Sequence, residues 1–170
     1  MADVLRPANL RRQTPTDELA IAEDIDRLLT GDFDAYPTAG RRLIRRGEPV
    51  IPYLGHAALR HPAPAAHKER LAIAYGPVLD ALPPERVLVA LASPYAATRV
   101  AAATSAGERR LEPLGQRLIE LLEDPDIHVR RAAITSLRMI SGEFIGYRAT
   151  DSPSERAAAA RQWQEYWLRR

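Results

Sequence analysis

The sequence predicts an all-α fold: a short right-handed stack of about four helix pairs, an α-solenoid, closed by a C-terminal capping helix. Three observations carry this prediction. Apolar residues make up 46% of the 170, much of that share is alanine, and only two Phe and two Trp are present. Such an interior suits helices packed closely together and suits a strand sandwich poorly, since strands favour β-branched and aromatic residues. Segments with apolar residues at helical spacing alternate with proline-containing turns. Arginine recurs at matching places, Arg70, Arg99 and Arg130, 29 and 31 positions apart. A fixed period near thirty residues made of two helices marks a stacked repeat.

The elements follow in order. Residues 1–14 read as an N-terminal arm, residues 15–142 as the repeat domain, and residues 143–170 as a loop and capping helix of that same domain. Thr14-Pro15-Thr16-Asp17 opens the first helix with a capping residue, Pro at the first helical position and an acid that reaches back. Ile21, Ile25, Leu28 and Leu29 share its inner face, and Gly31 stops it. The second helix covers Tyr36 to Arg46, with Ala39 and Leu43 inward and Arg41, Arg42, Arg45 and Arg46 largely outward. Glu48 to Leu59 is the third, with Val50, Ile51, Leu54 and Leu59 as core candidates, broken by His61-Pro62-Ala63-Pro64. Residues 66–75 are expected to form the fourth, ended by Gly76-Pro77, with Val78 to Leu82 as a short connector. Pro83-Pro84 starts the fifth, Ala96 to Ala106 is the sixth, and Leu111 to Leu122 is the seventh, with Leu111, Leu114, Leu118 and Leu121 on one face. Ile127 to Ile140 is the eighth. Ser152-Pro153-Ser154-Glu155 opens the last helix as a capping box.

Three turns share one pattern. His61-Pro62 precedes Glu69-Arg70-Leu71-Ala72, Ser93-Pro94 precedes Thr98-Arg99-Val100-Ala101-Ala102, and Asp124-Pro125 precedes Val129-Arg130-Arg131-Ala132-Ala133. Proline stops one helix, small residues let the next approach its partner, and the arginine is expected to bind an acid or carbonyl of an adjacent turn. The run Asp124-Pro125-Asp126-Ile127-His128-Val129-Arg130-Arg131-Ala132-Ala133, followed by Leu137, Ile140 and Gly142, resembles a HEAT repeat of the short bacterial kind, also called PBS-lyase HEAT-like repeats. The units at 84–107 and 48–75 are similar, while that at 15–46 carries Tyr36-Pro37 where the arginine would stand. Gly146-Tyr147 and the helix with Trp163 and Trp167 resemble the closing segment of such proteins. The resemblance implies a curved stack whose second helices line a concave face, and a protein-binding function. Some relatives of that family are chromophore lyases or DNA-repair glycosylases.

Arg41, Arg45, Arg131 and Arg138 sit on second helices at positions that the period turns away from the core. Arg131 and Arg138 share a face with Thr135 between them. With Tyr75 as an apolar contact, these are the expected partner-binding residues. Arginine suits bidentate contact with carboxylate or phosphate, so the expected ligand is an acidic or phosphorylated segment of a partner protein. The competing account is a solvated surface in an arginine-rich chain, in which Lys68 is the sole lysine among 24 basic residues. Charge is uneven along the chain: net −4 over residues 1–35 and +4 over residues 36–80. That polarity could orient a partner or an assembly; the sequence leaves the oligomeric state open.

No catalytic residue, cofactor or metal ligand is predicted. With no cysteine, thiolate chemistry and Cys-ligated zinc are excluded. His56, His61 and His67 are five and six apart rather than four, and His128 is distant. No nucleophile elbow or phosphate loop appears. A net charge of +2 and few aromatics weigh against nucleic acid, the alternative together with a cofactor-lyase-like relative. Met1 to Thr14 lacks a signal-peptide core and no apolar run reaches a membrane span, so a cytoplasmic, non-enzymatic scaffold is expected. Trp163 and Trp167 are expected to cover the flank of the last repeat, with an exposed aromatic anchor as the lesser alternative.

Overall fold

The computed structural model describes residues 14–32, 34–60 and 65–170, with residues 60 and 65–69 described in their backbone alone. The described residues are all-helical and contain no strand. The helices are α1 (Pro15–Thr30), α2 (Ala35–Arg46), α3 (Ile51–Arg60), α4 (Ala65–Asp80), α5 (Pro84–Ala90), α6 (Ala96–Glu108), α7 (Gly115–Glu120), α8 (Ile127–Ser141) and α9 (Pro153–Leu168), with 3-10 turns at Glu48–Val50, Glu112–Leu114 and Leu121–Glu123. None of these helices is long and apolar enough to cross a membrane. The chain divides into two compact units, one up to Ala74 and one from Tyr75, so that the division falls within α4. The N-terminal arm and the His61-Pro62-Ala63-Pro64 break lie outside the described residues.

In the first unit α1 packs on α2 and α3. Its start is fixed chemically: the Thr14 hydroxyl oxygen accepts the Asp17 N–H at 3.2 Å, and the Asp17 carboxylate accepts the Thr14 N–H at 3.2 Å and its hydroxyl at 2.8 Å. Ile21, Ile25, Leu28 and Leu29 are buried as the spacing predicts. Ala39, Gly40 and Leu43 form the inner face of α2, and Ile51, Leu54 and Ala57 that of α3, with Val50 buried in the 3-10 turn before it. Leu59, expected in the core, is 63% exposed. It follows Ala57 by two residues, which places it about 200° around the helix from that buried stripe.

In the second unit α5 packs on α6, α6 on α8, α7 on α8 and α9 on α7. α4 does not end at Gly76-Pro77 as expected; it continues to Asp80. Proline within a helix costs about 3 kcal/mol and glycine about 1 kcal/mol. Burial offsets this, since Val78 is 1% exposed and Leu79 fully buried, each contributing about 1.5–3 kcal/mol. Polar bonds add to it: the Tyr75 and Thr98 hydroxyls lie 3.0 Å apart, the Ser105 hydroxyl donates to Asp80 at 2.6 Å, and Arg109 donates to the Leu79 carbonyl at 3.2 Å. Tertiary contacts of residues 75–80 with α6 thus override a local helix-breaking signal.

α6 and α8 meet through small residues. Ala102, Ala103 and Ala106 are fully buried, and the Ser136 hydroxyl donates to the Ala103 carbonyl at 2.7 Å. A Cβ on Gly107 would stand 2.7 Å from Ser136 Cα, a separation that side chains do not tolerate. α8 ends at Gly142, whose φ of 78° is the left-handed conformation that glycine adopts without steric cost. α9 closes the unit: Trp163 is fully buried, Trp167 lies against Gly115, and the buried Tyr147 hydroxyl donates to the Leu122 carbonyl. Burial pushes the Tyr147 phenol up, against the opposing pull of Arg130 and Arg156.

Two outcomes follow from these contacts. Gly107→Ala lowers the urea midpoint, because overpacking costs about 1–3 kcal/mol against about 1 kcal/mol of gained helix propensity. At α9, the Ser152 hydroxyl and backbone N–H donate to Glu155 at 2.6 and 2.9 Å and hold its carboxyl below the usual range. A carboxylate lowered in the folded state stabilises above its unfolded pKa, and that contribution is lost as pH falls through the folded value. An NMR titration of Glu155 shows the lowered midpoint, and Ser152→Ala returns it towards the ordinary glutamate value.

Candidate functional site

The arginines fall into two groups according to what their guanidinium groups touch. Arg99 makes a bidentate pair with Asp124 at 2.8 and 2.9 Å and donates to the Ser93 and Pro94 carbonyls at 2.9 and 3.2 Å. It thereby joins its own turn to the following one. Arg130, 9% exposed, does the same one period later. It donates to the Asp124 and Pro125 carbonyls at 2.7 and 3.0 Å and, through Nε and Nη2, to the Ala149 carbonyl at 3.0 and 2.8 Å. Arg70, in the first unit, reaches an earlier corner: it donates to the Leu28, Leu29 and Gly31 carbonyls at 3.4, 2.7 and 2.9 Å. Its guanidinium lies 4.6 Å from the centre of the Tyr36 ring.

Asp24 is a further structural acid that the sequence reading did not single out. It is 3% exposed and lies 3.3 Å from Arg42, 3.8 Å from Arg46 and 3.8 Å from Arg27. The signal was present, since Asp24 stands three residues after Ile21 and four before Leu28, on the apolar stripe itself. Of the four α2 arginines expected outward, Arg41, Arg42 and Arg45 are exposed and Arg46 is half-buried; Arg42 and Arg46 reach Asp24, while Arg41 and Arg45 lie about 100° away around the helix. Arg41 donates to the Thr38 hydroxyl at 3.0 Å.

On α8, Arg131 and Thr135 are exposed. Among the described residues, no carboxylate forms an ion pair with Arg131, Arg138, Arg41 or Arg45. Arg138 is half-buried rather than presented beside Arg131. It donates to the Tyr147 carbonyl at 3.3 Å and lies 5.7 Å from the centre of the Phe144 ring, which is 80% exposed. Tyr75, expected as an apolar contact, is 3% exposed and hydrogen-bonded to Thr98, so it offers nothing to a partner. Burial pushes its phenol well above the usual tyrosine range, despite the opposing hydrogen bond from Thr98. The helix it starts to line is the continuous α4, and its ring is used to fasten residues 75–80 to α6.

Arg41 and Arg45 belong to the first unit, and Arg131, Thr135 and Arg138 to the second. An open depression in the first unit, lined by Arg27, Asp32, Asp34, Thr38 and Arg42, mixes both signs of charge. Among the described residues, no group of three His, Asp or Glu side chains is placed to hold a metal ion. His56 and His128 are exposed, and the His61 and His67 side chains lie outside the described residues. In comparisons with known proteins, no family model, curated protein or solved structure matches the chain.

The two adjacent α8 arginines separate the structural role from the available one. Arg130→Met strands the Asp124, Pro125 and Ala149 carbonyls and costs about 2–4 kcal/mol. Arg131→Ala changes stability by less than about 0.5 kcal/mol. Urea denaturation of the two variants measures the contrast.

Proposed function

We propose that this protein is a non-enzymatic interaction scaffold, a short α-solenoid of HEAT-like helix pairs that binds an acidic or phosphorylated segment of a partner through arginines on its second helices. The observation that carries this reading is the split between neighbours: Arg130 is spent on carbonyls, while Arg131 is exposed and free of carboxylates among the described residues. Arg131 with Thr135 forms the centre of the binding face in the second unit. Arg138, fixed over Phe144, adds a charged and aromatic edge to it. Arg41 and Arg45 supply an equivalent pair on α2. The recurrence of Arg99 and Arg130 at successive turns, one period apart, supports the repeat reading. Cytoplasmic location goes with this proposal.

An exposed guanidinium gains little from one carboxylate, about 0–1 kcal/mol, so useful affinity needs several contacts or a dianionic phosphate. The test is fluorescence anisotropy with a labelled glutamate-rich peptide and its phosphothreonine counterpart. Arg131→Glu weakens binding at least about tenfold and leaves the urea midpoint unchanged. Equal binding by wild type and variant removes this face. Tighter, steeply salt-dependent binding to duplex or single-stranded DNA would favour nucleic acid instead.

A further inference from the structure

The proposed binding face of α8 ends in an exposed aromatic ring that a purely acidic segment would leave unused. Arg131, Thr135 and Arg138 fall within about 60° of one another around the helix and so form one stripe. At its end stands Phe144, 80% exposed, with its ring centre 5.7 Å from the Arg138 guanidinium. A single exposed apolar side chain needs no special account. This one is attached to the charged stripe. Arg138 is half-buried, its Nη2 donates to the Tyr147 carbonyl at 3.3 Å, and its Nε is buried without a hydrogen-bond partner. The guanidinium is thereby held beside the ring. Glu143, the exposed neighbour of Phe144 in the chain, disfavours an anion at this end.

We propose that the segment recognised by the α8 face carries an aromatic residue beside its acids, and that the acids meet Arg131 while the aromatic side chain stacks on Phe144. This rests on the reading of α8 as a binding face for acidic segments and names a feature that reading leaves open. Charge is complementary where Arg131 is exposed. At the other end, the ring of Phe144 offers the surface on which a second ring gains most, because aromatic pairs gain more than the burial of their area. Exposed charge contacts are individually weak and screened by salt. The ring contact is not screened, so Phe144 selects among segments of equal charge.

Fluorescence anisotropy of the full chain with labelled glutamate-rich peptides decides this. One series carries a single tryptophan at each successive position, and its counterparts carry leucine or alanine there. At the best position the tryptophan peptide binds at least about tenfold tighter than the alanine peptide, and tighter than the leucine peptide. Phe144→Ala removes that advantage and leaves the affinity for the alanine peptide within about twofold of wild type. Because Phe144 is exposed, the substitution leaves the urea midpoint in place. Equal affinities at every position, an advantage that survives Phe144→Ala, or leucine matching tryptophan each overturn the proposal. With any of these, alanine-peptide binding that depends on Arg131 leaves the α8 face standing and removes only the aromatic requirement. Absence of binding by every peptide removes both.

Discussion

Backbone carbonyls at the ends and turns of helices need donors, and in this protein guanidinium groups supply them. The C-terminal end of each helix leaves four carbonyls without an intrahelical partner. Turns built on proline lose a backbone N–H that might have answered one. Arginine brings five donors in a rigid plane, enough to serve two turns together. Arg99 binds the Ser93 and Pro94 carbonyls while clamping Asp124, and Arg130 binds the Asp124 and Pro125 carbonyls while reaching Ala149. Asp124 is therefore held through its carboxylate by one arginine and through its carbonyl by the next. That shared residue links consecutive corners of the second unit into a chain of charge-assisted hydrogen bonds, each stronger than its neutral counterpart.

These corners set the ends of α6 and α8, and the small residues between the helices set their separation. Gly107 against Ser136, and the Ser136 hydroxyl on the Ala103 carbonyl, leave α8 little freedom to rotate about its axis. The buried face of α8 includes Val129, Arg130, Ala133, Ile134, Leu137 and Ile140. Once that face is fixed, the opposite one is fixed as well. Arg131 and Thr135 are thus presented from a rigid helix, which lowers the ordering cost that the proposed binding would carry.

Local chemistry was legible in the sequence wherever a few neighbouring residues decide the outcome. Both capping boxes, the stripes of α1, and the roles of Arg70, Arg99 and Arg130 as ties to acids or carbonyls could be read directly. The failures occurred where distant contacts decide. Gly76-Pro77 reads as a break, yet the hydrogen bonds of Tyr75 and Asp80 to α6 and the burial of Val78 and Leu79 carry α4 through it. The same contacts bury Tyr75, which is why a plausible surface aromatic became a core one. Leu59 was misplaced for a simpler reason, since its angle around α3 leaves the stripe that ends at Ala57. Asp24 went unremarked because an acid at a core position looks like an exception until its three arginines are in place.

The expected binding residues divide along the same line. A guanidinium is available to a partner only if its own chain offers it no better acceptor, and sequence position alone does not reveal that. On α2, Arg42 and Arg46 find Asp24, while Arg41 and Arg45, one residue earlier in each case, do not. On α8, Arg130 finds three carbonyls, and Arg131 finds none among the described residues. A rotation of about 100° per residue separates a buried tie from an exposed cation. The net charge of +2 conceals this, because arginines consumed by carbonyls still count as positive. The usable positive charge is smaller than the composition suggests, and in the second unit Arg131 shares it with Arg110, Arg148 and Arg161, which are also exposed and without an ion pair among the described residues.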